Sequence, residues 1–447
     1  MSEAAHSLQR RAAECWARGD LYGADDALRA LIDHQGGPRP ETDQMTLRLA
    51  LDLLEFERAG AALSRLKSAG KLDTQASLSA ARLLTWQGQR EEAIAIMQDA
   101  LKADPDHPGL LALLITHANH LPQSTLDHAE RVADTLPDRA IEKTGLFFPL
   151  ARHYDRASAY ERSWSLVSKA NQIAAERTPK LVDPEALKSA LIRRASNALK
   201  RFAALKPAPR HDQRHVYLIG APRTGSSLLQ SILSAHDGVD SSGERGALLP
   251  FLHEITDSTE TPPSDYLTRL QTADLSGLQR SGHHAPLLID KTTHNAFVAP
   301  LIAAIHPESV FVNVIRRPHD VALSMLFHEF PPAFPESTSL EGIAAMLEAR
   351  ADIMALYKEA AFDVHQIDFD AFTNAPETQA RTLAGWIGLE FDPGTLSPEN
   401  RNAAVPTFSA GQVRQPIRPT PADKWQRFEP FLSNHIKERL DALTPSL

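Results

Sequence analysis

A glycine-bounded stretch, VYLIGAPRTGSSLLQSIL (residues 216–233), carries residues suited to binding an anion. Gly220 and Gly225 keep the G-x-x-x-x-G spacing of a triphosphate-binding loop, but Ser226 stands where that motif has lysine. A strand, this turn and a helix beginning at Ser226 would direct backbone N–H groups at one phosphate-like group, with Arg223 inside the turn. Hydroxyl donors around Gly225 are Thr224, Ser226 and Ser227. Taken alone, this spacing is weak evidence for an anion site, because small residues between a strand and a helix are also common for packing reasons.

A second pair of anion-binding candidates follows another strand signal. The apolar run VFVNVI (310–315) is followed by Arg316, and Ser324 lies eight residues further along. Because Pro318 suits the first turn of a helix, Ser324 would lie about two turns into it. Arg316 and Ser324 would then converge on a second phosphate. The alternative is an exposed arginine pair with a helix-interior serine.

Together the two anchors resemble those of the sulfotransferases that use 3′-phosphoadenosine 5′-phosphosulfate (PAPS), in particular the protein-tyrosine sulfotransferase branch and its bacterial relatives with tetratricopeptide arrays. The resemblance covers about residues 215–430. It implies that a P-[KR]-x-G-[ST]-[ST] loop holds the 5′-phosphosulfate, while Arg316 and Ser324 hold the 3′-phosphate. The loop residues are Pro222, Arg223, Thr224, Gly225, Ser226 and Ser227. A phosphosulfate carries less charge than a triphosphate, so we expect neither the loop lysine nor a metal ion.

The resemblance also implies catalytic residues. Glu244, in a Gly-Glu pair, takes the position of the family's catalytic carboxylate, which removes the proton of the acceptor hydroxyl. Lys291 follows the predicted strand LLID and resembles the lysine of the family's K-x-P-x-N segment, although Thr293 replaces its proline. With Arg223, this lysine would neutralise charge on the departing phosphate oxygen and the sulfuryl group. Glu244 as a helix-start residue or a partner of Arg245 is the alternative.

The segment TFSAGQVRQPIRPTPADKW (407–425) extends the resemblance. Ser409 lies where the family has a serine beside the sulfate, so it is a further catalytic candidate. Arg414 would contact either the nucleotide or the acceptor, and the sequence does not decide between them.

Histidine is the base in small-molecule sulfotransferases, and the chain has 19 of them. His294, three residues after Lys291, is the main rival to Glu244 as the base. No His/Asp/Glu spacing resembles a zinc helix motif, so the sequence predicts no metal site.

Hydrophobic periodicity predicts the elements that position these residues. From Val216 onward, apolar runs alternate with helical patterns, which predicts a parallel sheet with helices on both faces. Residues 1–205 instead carry Ala- and Leu-rich segments at helical spacing. The basic stretch 206–214, which contains two prolines, is the predicted linker. The fold class is therefore an all-α repeat domain followed by an α/β P-loop-like domain over residues 215–447.

The helical half contains a repeat. Aligning GDLYGADDAL, LEFERAGAAL and GQREEAIAIM brings Gly19, Leu54 and Gly88 into register, at steps of 35 residues (19 to 54) and 34 residues (54 to 88). This is the period of tetratricopeptide helix pairs, arrays that usually bind protein segments. Small residues that would let paired helices approach are Ala24, Ala59 and Ala93. The alternative is an ordinary helical bundle with coincidental alanine spacing.

Composition limits partners and compartment. Lys and Arg total 47 against 56 for Asp and Glu, and the net charge of −9 gives no general attraction to nucleic acid or anionic membranes. Cys15 is the only cysteine, which excludes a disulfide within the chain and fits a reducing compartment. The N-terminus lacks a signal-peptide apolar core, so we expect a cytoplasmic protein. The oligomeric state stays open, a homodimer included.

We therefore expect a sulfotransferase that moves the sulfuryl group of PAPS to a hydroxyl of a peptide tyrosine, a carbohydrate or a small phenol. Two other functions stay open. An ATP-dependent phosphotransferase is disfavoured by Ser226 and by the lack of a clear acidic magnesium strand. A non-catalytic repeat scaffold with a relic nucleotide domain is disfavoured by the intact site candidates.

Overall fold

The structure is a computed structural model that describes residues 2–177, 183–202, 205–245, 262–331, 334–397, 415–419 and 424–444. Contacts between these residues divide them into two units, with the boundary in the chain between Ala157 and Ser158. Within the described ranges, no helix is long and apolar enough to cross a bilayer.

The first unit is a succession of helices joined by short turns. They are α1 (Glu3–Ala17), α2 (Leu21–His34), α3 (Pro40–Asp52), α4 (Phe56–Ser68), α5 (Thr74–Trp86), α6 (Arg90–Ala103), α7 (Pro108–His117), α8 (Gln123–Thr135) and α9 (Ile141–Arg156). Successive helices pack as the pairs α1–α2, α3–α4 and α5–α6. The second helices of these pairs begin at Leu21, Phe56 and Arg90, at the predicted steps of 35 (21 to 56) and 34 residues (56 to 90).

The three aligned repeats share both their buried and their turn positions. Fully buried small residues within the pairs are Ala24, Ala59 and Ala93. Gly19, Leu54 and Gly88 lie in the turns with φ of 78°, 62° and 81°. This left-handed conformation costs about 1–2 kcal/mol for a residue with a side chain and almost nothing for glycine. Leu54 therefore carries strain that its two counterparts avoid.

The second unit begins with two helices and then alternates strands with helices. Its elements are α10 (Tyr160–Arg177), α11 (Pro184–Phe202), β1 (Arg214–Leu218), α12 (Ser226–Leu233), β2 (Val239–Gly243), α13 (Tyr266–Arg280), β3 (Leu287–Asp290), α14 (Ala299–Ile305), β4 (Val310–Ile315), α15 (Pro318–Leu326), α16 (Leu340–Glu359), β5 (His365–Asp368), α17 (Phe369–Asn374), α18 (Pro376–Ile387) and α19 (Asn434–Ala442). Short 3₁₀ segments are Thr293–Phe297, Pro335–Thr338, Pro393–Leu396 and Lys424–Phe431.

Helices α10 and α11 group with the second unit, whereas the sequence predicts a domain boundary near residue 205. Asn171 of α10 donates a buried hydrogen bond to the carbonyl oxygen of Leu326, at 2.8 Å. Lys188 of α11 pairs with Glu348 of α16 at 3.2 Å. Helical periodicity predicts that a segment is a helix but not which core it joins, and these contacts account for the difference.

The five strands form one parallel sheet in the order β2-β3-β1-β4-β5. Val216 and Leu218 of β1 join the core on one face, while Tyr217 lies on the other face and stacks on Phe311 at 5.4 Å between ring centroids. The strand order runs outward from β1 in both directions, so the carboxyl ends near β1 form the edge where ligands bind in such sheets. The predicted helical N-terminal region followed by a parallel-sheet domain is confirmed.

Replacing Leu54 by glycine is expected to raise the free energy of unfolding by about 1 kcal/mol, because glycine removes the left-handed strain. The side chain is 48% exposed, so little packing is lost. Urea unfolding of the full chain, followed by circular dichroism, measures the change.

The reciprocal control is Gly19→Ala, where the added methyl would meet no atom within 4 Å. The substitution therefore changes only the backbone conformational energy, and we expect the free energy of unfolding to fall by about 1 kcal/mol. A Leu54→Gly variant less stable than the parent protein would contradict the strain argument.

Candidate active site

The loop between β1 and α12 has a left-handed residue on either side of Thr224. Arg223 has φ of 70° and Gly225 has φ of 105°. Gly225 is also the residue before α12, and the first N–H groups of a helix have no carbonyl partner within that helix. A turn of this kind followed by a helix start is a common arrangement for binding an anion.

Close approaches explain both glycines of this loop. A Cβ atom at Gly220 would lie 2.2 Å from the carbonyl oxygen of Val314 in β4. A Cβ atom at Gly225 would lie 2.1 Å from the ring of Phe369. The Thr224 hydroxyl closes the turn by donating a hydrogen bond to the carbonyl oxygen of Ala221, at 2.8 Å. The loop is therefore packed against β4 and the start of α17, with no room for side chains at the two glycines.

The two candidate anion anchors lie together. Arg223 Nε donates a hydrogen bond to Ser324 Oγ at 3.0 Å, although 101 residues separate them in the sequence. Arg316, which follows β4, has a buried Nε with no hydrogen-bond partner among the described residues, and Asp370 Oδ1 lies 3.6 Å from it. Burial, with the charge of Arg316, lowers the pKa of Arg223 to about 10. The two guanidinium groups thus repel each other, and an anion between them would relieve this repulsion.

The predicted base and the predicted lysine form an ion pair. Lys291 Nζ donates a hydrogen bond to Glu244 Oε1, and the Lys291 backbone N–H donates to the carbonyl oxygen of Gly243 at 2.9 Å. The Lys291 side chain is 2% exposed and that of Glu244 is 63% exposed, so the carboxylate faces solvent in front of a buried ammonium group. The negative charge of Glu244 also acts to raise the pKa of Arg223, against the effect of burial.

The remaining candidates differ in their placement. In and after the loop, Pro222, Thr224 and Ser226 are buried and Ser227 is half-buried. Ser409 and Arg414 lie outside the described residues. His294 packs its ring against Phe334, at 4.3 Å between centroids. Arg245 pairs with Asp274 at 2.7 Å, which disagrees with its alternative role as the partner of Glu244.

Sequence reasoning missed the residues that follow β5. The ring of Phe369 lies against Gly225, and the guanidinium carbon of Arg316 is 5.3 Å from the ring centroid. Asp370 accepts a hydrogen bond from Arg317 Nε at 3.0 Å. Phe369 and Asp370 had little signal in the sequence, because the strand before them, HQID, has four residues and only one of them is apolar.

Arg350 of α16 was also missed, and it connects two parts of the site. This buried residue donates hydrogen bonds to the carbonyl oxygens of Ile219, at 2.9 Å, and Thr293, at 3.0 Å. It therefore joins the start of the loop to the segment after Lys291. Burial lowers the pKa of Arg350 to about 10, although the negative charge of Glu336 acts to raise it. An arginine within a helix gives no sequence signal when its partners are distant backbone carbonyls.

Part of the second unit is similar to a known protein family. Residues 215–393 match the model of the sulfotransferase family. A putative protein-tyrosine sulfotransferase of Caenorhabditis briggsae is 22% identical over 255 residues, which cover 52% of this chain and 86% of that protein. The match over residues 215–393 confirms the resemblance that was inferred from the two anion anchors.

A second relative aligns with a larger part of the chain. An uncharacterised protein of Aquifex aeolicus (strain VF5) is 23% identical over 397 residues, 79% of this chain. The chain spans only about half, 49%, of the length of that relative. The alignment extends beyond residues 215–393 into the helical unit.

Two solved structures are similar to the chain. The sulfotransferase domain from the Synechococcus PCC 7002 olefin synthase aligns with a TM-score of 0.36 at 19% identity, covering 54% of this chain and 97% of that one. The sulfotransferase domain from the curacin biosynthetic pathway aligns with a TM-score of 0.32 at 15% identity, covering 53% of this chain and 99% of that one. With TM-scores this low, neither likeness adds to the assignment.

Gly220→Ala is expected to lower the free energy of unfolding by about 1–3 kcal/mol, because the added methyl would overlap a backbone oxygen that cannot rotate away. Urea unfolding of the full chain measures the loss. The matched control is Gly385→Ala in α18, where an added methyl would meet no atom within 4 Å. That variant should equal the parent protein or gain about 0.5–1 kcal/mol. Equal stability of the two variants would contradict the close packing of the loop against β4.

Proposed function

We propose that the second unit transfers the sulfuryl group of PAPS to an acceptor hydroxyl, with Glu244 as the general base. The observation that carries the proposal is the hydrogen bond between Arg223 and Ser324, which joins the two candidate anion anchors at the carboxyl edge of the sheet. PAPS carries a 5′-phosphosulfate and a separate 3′-phosphate, so a site for it needs two such anchors side by side. The match to the sulfotransferase family supports the reaction class.

The charges around the loop suit this donor. Arg316 offers a buried Nε without a hydrogen-bond partner among the described residues, and a 3′-phosphate oxygen would satisfy it. The loop and Arg223 would hold the 5′-phosphosulfate, with hydroxyl groups from Thr224, Ser226 and Ser227. Asp370, the carboxylate beside Arg316, also binds Arg317 and so is already engaged by cations. The groups around the loop therefore favour an anion, although the net charge of the chain is −9.

The reaction follows from the ion pair in front of the loop. Glu244 takes the proton of the acceptor hydroxyl as its oxygen attacks sulfur, while the bond between sulfur and the bridging phosphate oxygen breaks on the opposite side. The products are the sulfated acceptor and adenosine 3′,5′-bisphosphate, with the proton on Glu244. Lys291 and Arg223 stabilise the negative charge that moves onto the phosphate oxygen. Because Lys291 is buried, its ammonium group is held in one orientation before the reaction begins.

The acceptor is the part of the proposal that rests on the relatives. The name of the Caenorhabditis relative suggests a peptide tyrosine, and we propose that the helical repeats bind the protein segment carrying it. A carbohydrate or small phenol would use the same chemistry. Parallel assays with a tyrosine peptide, an oligosaccharide and a simple phenol as acceptors distinguish the three.

Arg316→Met is expected to weaken binding of adenosine 3′,5′-bisphosphate by about 10- to 100-fold, the value of a charge-assisted hydrogen bond. Binding of adenosine 5′-monophosphate, which lacks the 3′-phosphate, should change little. Isothermal titration gives the ratio of the two affinities, which is insensitive to a general loss of folded protein.

Arg317→Met is the matched control, since this neighbouring arginine is bound to Asp320 at 3.0 Å and to Asp370. It should leave the affinity ratio unchanged. If Arg316→Met lowers both affinities equally, Arg316 does not bind the 3′-phosphate. If ATP with magnesium raises the melting temperature of the protein and adenosine 3′,5′-bisphosphate does not, the domain is a phosphotransferase instead.

Glu244→Gln is expected to lower kcat by about 10²- to 10⁴-fold, because the amide keeps an oxygen for Lys291 but cannot accept a proton. Transfer of radiolabelled sulfate from PAPS measures the rate. The melting temperature and the affinity for adenosine 3′,5′-bisphosphate should stay near the parent values.

Glu377→Gln is a matched control, since Glu377 is equally exposed and paired with Arg381 at 3.0 Å, in α18. Its rate should equal that of the parent protein. An unchanged rate for Glu244→Gln would exclude Glu244 as the base and direct attention to His294. A parent protein without transfer to any of the acceptors, but with intact nucleotide binding, would favour the non-catalytic scaffold.

A further inference from the structure

Three histidines meet at the edge of the sheet opposite the candidate active site. His211 lies in the segment before β1, His215 is the second residue of β1, and His306 directly follows α14. The centroids of the His215 and His306 rings are 4.1 Å apart, and His211 is 5.0 Å from His306. One ring nitrogen of each histidine lies within 4.8 Å of those of the other two. The fold thus concentrates three potential metal ligands from three separate segments.

Two ring nitrogens of this cluster have no hydrogen-bond partner among the described residues. His215 Nε2 and His211 Nδ1 are buried and have no hydrogen-bond partner among the described residues. His211 Nε2 and His306 Nδ1 share one hydrogen bond of 2.9 Å. A buried polar atom without a partner is unusual in a folded protein and calls for an explanation such as an ion. A metal ion would accept lone pairs from all three rings in place of the single hydrogen bond.

The outer nitrogens of two rings are oriented by neighbouring side chains. His306 Nε2 donates a hydrogen bond to Asp274 Oδ2 at 3.1 Å, which leaves Nδ1 as the nitrogen with a lone pair. His215 Nδ1 lies 3.1 Å from the Tyr217 hydroxyl, so its Nε2 faces the cluster. A carboxylate behind a histidine is the usual support of a metal-binding imidazole.

We propose that His211, His215 and His306 bind one divalent transition-metal ion, Zn²⁺ by chemical preference. Neutral imidazoles suit Zn²⁺, which takes four ligands in a tetrahedron at about 2.0–2.1 Å from each nitrogen. The fourth position goes to water or to Glu308, which lines the same small cavity. Asp274, which also pairs with Arg245 at 2.7 Å, and Glu308, which pairs with Arg210 at 3.0 Å, bring carboxylates beside the ion.

The ion has a structural role that is independent of sulfuryl transfer. The cluster lies at the amino end of β1, and the loop of the candidate active site follows the carboxyl end, about 16 Å away for five residues of extended chain. An ion there would fasten the segment before β1, through His211, to the sheet and to the end of α14. The sequence predicts no metal site because the three histidines follow no helix spacing and two of them are separated from the third by about ninety residues.

Zinc binding by the full chain tests the proposal. The protein is dialysed against a chelator and then titrated with Zn²⁺ in an isothermal calorimeter. We expect one ion per chain, and a rise of the melting temperature with added Zn²⁺ because the ion binds the folded state. Co²⁺ in place of Zn²⁺ should give the intense visible absorption of a four- or five-coordinate ion.

His211→Gln should weaken the binding of Zn²⁺ by at least about 100-fold, since it removes a ligand, and Asp274→Asn by about 10- to 100-fold. His211 is only half-buried, so its variant is expected to fold. The matched control is His284→Gln, an exposed histidine of the same unit outside the cluster, which should bind as the parent protein does.

Two results would overturn the proposal: equal Zn²⁺ affinity of the parent protein and His211→Gln, or a Co²⁺ spectrum of a six-coordinate, hydrated ion. Both measurements are made without PAPS or an acceptor. Failure of the zinc proposal therefore leaves the proposed transferase function untouched, and the reverse also holds.

Discussion

Concentrated positive charge at the carboxyl edge of one parallel sheet is the constraint on which the second unit depends. Arg223, Arg316, Lys291 and Arg350 all bring cationic groups to this edge, and removing such groups from water is costly unless each finds a partner. The structure provides hydrogen-bond partners for three of these groups, and Arg223 binds Ser324. Arg350 binds two carbonyl oxygens, and Lys291 binds the exposed Glu244. Arg316 is left with a buried Nε that no described residue satisfies.

This arrangement explains why the loop is built as it is. A loop lysine would add a further cation beside Arg223, whose pKa is already lowered by burial and by Arg316. The loop instead leaves its first helical turn to hydroxyl side chains, at Ser226 and Ser227. Gly220 and Gly225 let the turn lie directly against β4 and Phe369. Phe369 in turn contacts Arg316, so one ring positions the loop and the second anchor together.

The sequence predicts the central strands and their loops well, and the edges of the sheet poorly. The apolar runs of β1, β3 and β4 are buried on both faces, so their composition identifies them. The edge strand β2, with the sequence VDSSG, is half-buried throughout and has only one apolar residue. The other edge strand, β5, has the sequence HQID and is equally inconspicuous. Phe369 and Asp370 were missed because the sequence does not indicate the strand that precedes them, β5.

Contacts between distant segments set the limit of what the sequence predicts. The Arg223–Ser324 contact was foreseeable, because the residues after β1 and β4 lie side by side once the two strands are adjacent. The contacts of Arg350 could not be predicted, because its partners are backbone carbonyl oxygens, which every residue type has. The histidine cluster is intermediate: histidine is a residue type that can bind a metal, but the sequence does not show that these three lie together.

Each histidine is unremarkable in the sequence, and only the placement of β1 beside the end of α14 unites them. The two ends of β1 thus concentrate opposite kinds of group. Its carboxyl end gathers cations that an anion would stabilise. Its amino end gathers neutral lone pairs, with Asp274 and Glu308 nearby, that suit a cation. Five residues of strand separate the two, which is the reason that one end can be fastened by a metal without disturbing the chemistry proposed at the other.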